Sequence, residues 1–135
     1  MIHLGPKSVQ GVIDINTRII RDTKGEQDAE SKRKKWLQVP GWLVVTCDLA
    51  DNSFRREEDY AACCCAIQNL MLALWSAGIG TKWSTGDVTR HPDFYKLIDL
   101  DPTKQRTVGM LWYGYPAVIP DQTRHSVSHF LQELE

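Results

Sequence analysis

Residues 78–95, "GIGTKWSTGDVTRHPDFY", concentrate the groups best suited to meet a ligand. Gly78, Gly80, Lys82, Trp83, Ser84, Thr85 and Gly86 fall within nine residues, more glycine and hydroxyl than a simple corner needs. Two explanations fit: crowded packing, or a backbone and short hydroxyls that face a bound molecule. The other candidates are weaker. His125 and His129 share an i,i+4 spacing that could ligate a metal, but no third ligand accompanies them. Cys63, Cys64 and Cys65 are consecutive, so on a helix they point about 100° apart and cannot converge on one ion or pair with each other. With Cys47 they form no C-x-x-C, and no His or Lys lies within a turn to lower a thiol pKa. They read as small core residues of a reducing, intracellular compartment. Glu57, Glu58 and Asp59 read as first-turn acids favoured by a helix dipole rather than a catalytic pair. The chain has no P-loop, no G-x-S-x-G and no H-E-x-x-H. Gly78-Ile79-Gly80 lacks the third glycine and the following helix of a dinucleotide fingerprint.

The elements that must hold this corner can be read from periodicity. At 135 residues the chain is long enough for one domain with a real core, spanning 1–135. A net charge of −1 gives no electrostatic case for nucleic acid. The charge is uneven: residues 1–40 carry eight Lys/Arg against five Asp/Glu, through the run Lys32-Arg33-Lys34-Lys35, which reads as a solvated helix face. No secretory h-region is visible, and the longest apolar run is interrupted by Gln68, Asn69 and Ser76, which argues for a buried helix rather than a membrane span. "SVQGVIDINTRIIRD" predicts a helix with Ser8 as a possible N-cap, and "GEQDAESKRKKWLQV" a charged one ending before Pro40. "GWLVVTCDLA" predicts a buried central strand. From about Glu57 to Ala77 runs a helix that is apolar on every face, small in its first half and large in its second, so it must be buried nearly all round. A chain this short needs a second subunit to cover such a helix, which predicts a homodimer with the helix at or near the interface. Gly78 and Gly80 end it, Gly78 as a left-handed C′ residue. "HPDFYKLIDLD" predicts a short helix opened by Pro92, Val108–Tyr113 a strand, and the tail some helical turns carrying Val127, Phe130, Leu131 and Leu134. Helix and strand alternate, so the class is α+β or α/β.

In order, "AACCCAIQNLMLALWSAGIGTKW", "STGDVTRHPDFY", "VGMLWYGYP" and a basic residue in an irregular tail resemble the C-terminal part of the FMN-dependent nitroreductase family. The match runs over roughly residues 36–135 and is densest from Asp59 to Pro116, with "AIQNLMLA", "GIGTKW" and "GYP" its most specific pieces. The resemblance implies an α+β, three-layer nitroreductase-like fold and a homodimer with FMN at the interface. It implies that backbone N–H groups at Thr85 and Gly86 lie beside the flavin N5 and O4, with Trp83 and Ser84 nearby. Glycine at 86 suits a backbone lying against a flat ring. Arg124 is the expected partner of the FMN phosphate, while the position two residues earlier, often basic in the family, is Gln122.

Family members begin with an arginine-rich, "RRS"-like segment and an Asn-containing stretch near a P-W motif, and this sequence has neither. The expectation is a domain incomplete at its N-terminus, with a weakened grip on FMN. The implied activity is hydride transfer from NAD(P)H through FMN to a nitro or related small acceptor, in the cytoplasm. It requires no side-chain acid or base, so no catalytic residue and no metal is named. The alternative is a truncated, inactive relative that serves as a dimeric scaffold or binding module.

Overall fold

The strand "GWLVVTCD" sets the frame. β-branched and aromatic residues favour extended backbone, and the alternation of side chains sends them to two different layers. In a computed structural model describing residues 1–134, this segment is β2 (Gly41–Asp48). It pairs antiparallel with β1 (Ile2–His3) on one side and β4 (Gln105–Gly114) on the other. β3 (Gly80–Ser84) pairs antiparallel with β4, giving the order β1-β2-β4-β3. The central position expected for β2 is therefore observed. A bulge between Val45 and Thr46 leaves Val108 without a register partner, because Val45 faces Gly109 and Thr46 faces Thr107.

One face of the sheet packs on α1 (Pro6–Lys24), α2 (Glu26–Trp36) and α4 (Pro92–Leu97). Trp42, Val44, Met110 and Trp112 from the strands meet Val12, Ile13, Trp36, Val88 and Phe94. Burying each such side chain contributes about 1.5–3 kcal/mol. Trp36, Trp42 and Trp112 form an edge-to-face cluster with centroids 5.0–5.5 Å apart. Helix starts differ from the expected ones. α1 begins at Pro6, whose missing N–H is harmless at the first position, with Gly5 rather than Ser8 as the N-cap residue. Gly25 separates α1 from α2 with a φ of 92°, which favours glycine.

The opposite face is covered by α3 (Ser53–Ser76). Its N-cap is Asn52, whose Oδ1 accepts the Arg55 N–H at 3.1 Å. The helix thus starts before the expected Glu57, and Glu57, Glu58 and Asp59 lie past its first turn. Tyr60, Cys63, Cys64, Ile67, Leu70 and Met71, spaced by three and four, face Val45, Cys47, Val108 and Leu111. Only Ile67 is fully buried. The sequence suggests burial on nearly every side, but the chain itself covers only this stripe. Ala61, Ala62, Cys65, Ala66, Leu72 and Trp75 are exposed. Gly78, at φ 77°, ends the helix as expected, donating to the Trp75 carbonyl at 2.9 Å while Ile79 donates to that of Leu74. Gly80 does not share that role and instead opens β3. Beyond Gly114 the described tail is exposed, and its expected helix is reduced to one turn at Val127–His129. None of the helices among the described residues is long and apolar enough to cross a membrane.

Candidate functional site

"TKWS" is a short run with a β-branched residue and an aromatic, and it forms the last strand of the sheet, paired on one side only. Alternation sends Trp83 toward α3 and Lys82 toward the tryptophan cluster, where its Nζ lies 5.2 Å from the Trp112 ring centroid. Trp83 is positioned by a glycine. A Cβ at Gly109 would fall 2.1 Å from the Trp83 Nε1 and 3.0 Å from the Ser84 carbonyl oxygen, so the strand must be bare there for the indole to lie across it. The Trp83 Nε1 is buried with no partner among the described residues.

Ser84 ends the strand opposite Met110, and Thr85 and Gly86, both exposed, carry the chain into the turn Asp87–Arg90. The Thr89 N–H and hydroxyl both donate to the Gly86 carbonyl, at 2.9 and 2.8 Å, which fixes the turn. The N–H groups of Thr85 and Gly86 donate to no acceptor among the described residues. An added Cβ at Gly86 would meet nothing within 4 Å, and its φ of −63° is open to any residue. The packing of this chain therefore gives no reason for glycine at 86. The segment is a pair of exposed, unused donors at the open end of an edge strand, and it suits an acceptor-rich planar ligand.

Arg124 lies elsewhere. It lines a groove of about 800 Å³ between the end of α2, the second half of α3, the start of β3 and the segment after β4. Lys35, Lys82 and Gln122 line the same groove, and none of its lining residues is acidic. Three cations without a counter-charge suit a phosphate or other anion. Trp83, Ser84, Thr85 and Gly86 do not line it. The structure thus brings these four together as one segment and places Arg124 in a groove that meets β3 at Gly80, Thr81 and Lys82. Sequence reasoning singled out Lys82 at the corner and read Lys35 as a solvated helix face, and only the fold places both beside Arg124; it missed Gly109, whose position inside a strand was the available signal.

The remaining chemical groups lie apart from both places. His125 and His129 stack with centroids 4.6 Å apart in the exposed tail, and no cluster of three metal-ligand residues occurs among the described residues. Cys47 is buried, its thiol donates to the Asp48 carbonyl at 3.4 Å, and its pKa is pushed up to about 11, first by burial and then by the neighbouring Cys63 thiol.

Comparison with known proteins gives a consistent result. Residues 8–115 match the model of the nitroreductase family. YfhC of Bacillus subtilis, whose name assigns it provisionally to the NAD(P)H nitroreductases, is 32% identical over 96 residues, 71% of this chain and 49% of its own length. The chain thus spans about half the length of that curated relative. The crystal structure of a nitroreductase-like family protein from Bacillus cereus has a TM-score of 0.77 at 31% identity, covering 98% of this chain and 71% of that one. A provisionally named nitroreductase from Desulfovibrio desulfuricans, solved in complex with FMN, has a TM-score of 0.59. It covers 99% of this chain and 87% of its own, and at 14% identity the likeness is one of fold.

Proposed function

The chain belongs to the nitroreductase family, and from that premise we propose that it is an FMN-dependent oxidoreductase, forming one domain over residues 1–135. The observation that carries this reading is the pair of unused N–H donors at Thr85 and Gly86, on the open end of β3 inside the family-matched segment. These donors would meet the flavin N5 and O4, with Ser84 and Trp83 beside them. The missing Cβ at Gly86 leaves room for a ring. When bound, FMN would supply two-electron chemistry between NAD(P)H and a nitro or related small acceptor. The protein's part is to hold the ring against an ordered turn, present two donors and exclude water on the α3 side. Arg124, with Lys35 and Lys82 in an acid-free groove, supplies the charge for the phosphate. A ligand reaching both the turn and the groove would run along β3.

The assembly we propose is a homodimer in which a second copy covers the outward face of α3. That face is small and apolar through Ala61, Ala62, Cys65 and Ala66, and it is exposed in one chain. Free cysteines favour a cytoplasmic location. One observation favours a second reading, a dimeric scaffold without catalysis: Arg124 and the Thr85–Gly86 turn do not share a cavity. The two readings separate on the purified chain. FMN is titrated by absorbance, and NAD(P)H oxidation is followed with a nitroaromatic acceptor. Bound flavin with acceptor-dependent oxidation is the expected result. A chain that neither binds FMN nor oxidises NAD(P)H leaves only the scaffold.

A further inference from the structure

A second, smaller cavity of about 360 Å³ is lined by Arg90, Pro92, Tyr95, Lys96, Leu100 and Pro102. None of these residues lines the groove or belongs to the Trp83–Gly86 segment, so the cavity stands apart from the flavin reading. Local structure builds it. Pro92 opens α4, and the helix stops in a left-handed turn at Asp99, φ 53°. There the Asp99 N–H donates to the Lys96 carbonyl at 3.3 Å and the Leu100 N–H to that of Tyr95 at 2.9 Å. That turn brings Leu100 and Pro102 to the same cavity as Tyr95. The Tyr95 hydroxyl accepts the Thr107 N–H at 3.1 Å, which ties the ring to the start of β4.

The charges around it are unevenly matched. Asp93 is shared among Arg18, His91 and Lys96, whose Nζ lies 4.0 Å from Asp93 Oδ1. Asp101, next to Pro102, accepts the Thr103 N–H and hydroxyl at 2.9 and 2.6 Å and lies 3.8 Å from the Lys104 Nζ. Arg90 forms no ion pair among the described residues, and no acid lines the cavity. One unpaired guanidinium beside a tyrosine, a leucine and two prolines suits a ligand with a single negative charge and an apolar body. We propose that this cavity binds a small amphiphilic carboxylate, its oxygens on the Arg90 guanidinium and its apolar part against Tyr95, Leu100 and the two prolines. The guanidinium fork matches a carboxylate with two parallel hydrogen bonds. A divalent cation would find no carboxylate here, and a polyphosphate would need more unpaired cations. The volume is at the small end of the range for ligand pockets, about 300–1,000 Å³, which limits the apolar part to a single ring or a short chain.

The test titrates the full, isotope-labelled chain with three probes of one shape: phenylacetate, neutral phenylacetamide and cationic 2-phenylethylamine. Phenylacetate should shift the Tyr95, Lys96 and Leu100 amides saturably, phenylacetamide should bind about tenfold more weakly, and the amine should leave these amides unmoved. Arg90 is exposed and unpaired, so Arg90→Gln should melt as the wild type does while binding phenylacetate about tenfold more weakly. Lys96→Gln, which removes a cation already shared with Asp93, should weaken it by less than about threefold. No saturable shift at millimolar phenylacetate, equal binding of the three probes, or an Arg90→Gln chain that binds as tightly as the wild type would overturn the proposal. Because no flavin is present in the titration, its failure leaves the Thr85–Gly86 reading untouched.

Discussion

Gly86→Ala separates the needs of the fold from those of the ligand. Gly86 has φ −63° and ψ 167°, a conformation alanine adopts without strain, and the new methyl would meet nothing within 4 Å. The folded state therefore loses nothing, while the unfolded chain loses conformational freedom, a gain of about 0.4–1 kcal/mol. The ligand-free protein should melt unchanged or a few degrees higher. A flavin lying on the Thr85–Gly86 backbone would be pushed outward by that methyl, weakening its contact with the two N–H donors. Losing one such hydrogen bond costs about 1–1.5 kcal/mol, roughly tenfold in Kd. Thermal melts without ligand and a flavin-fluorescence titration measure the two effects independently. A ligand-free melting point several degrees lower would refute the claim of open space at Gly86. An unchanged Kd with intact stability would remove the turn from the binding site.

Other outcomes follow from the same geometry. Gly109→Ala drives a methyl into the Trp83 indole, 2.1 Å from Nε1, so urea unfolding should show a loss of about 1–3 kcal/mol; an unchanged midpoint would contradict the packing described. Cys47 titrates at about 11 when folded against an ordinary 9.0, so its stabilisation is complete below about pH 9 and lost as pH rises through 11. The separation corresponds to about 2–3 kcal/mol, and Cys47→Ala should flatten that part of the alkaline stability profile. Ala66→Arg on the exposed face of α3 should turn a sedimenting dimer into a monomer, whereas a wild-type protein that is already monomeric would exclude the proposed interface.

Periodicity made β2, α4, β4 and the glycine stop of α3 legible because each carries its signal locally: an apolar run, Pro92, or Gly78 after a helical stretch. β3 was not legible. Its glycine, threonine and serine look like a loop, and what makes "GTKWS" a strand is the edge of β4, more than twenty residues away. The exposed face of α3 shows the reverse limit. Apolar residues on every side say that the helix needs cover, but one chain covers one stripe of it. Trp83, Ser84, Thr85 and Gly86 stand out by the density of glycine and hydroxyl at one corner, the family resemblance gives them a flavin role, and they are contiguous, so the fold could hardly scatter them. Arg124 sits in a tail with no local constraint, and its neighbours Lys35 and Lys82 are set by the sheet rather than by sequence proximity.

The central claim is that a flavin rests on the turn after β3. The direct measurement is an amide proton–nitrogen correlation spectrum of the labelled chain, recorded as FMN is added. The Thr85 and Gly86 amides, which donate to no acceptor among the described residues, should shift most and saturate with the flavin absorbance change. Shifts confined to Lys82, Arg124 and the groove around them, with Thr85 and Gly86 unmoved, would contradict it.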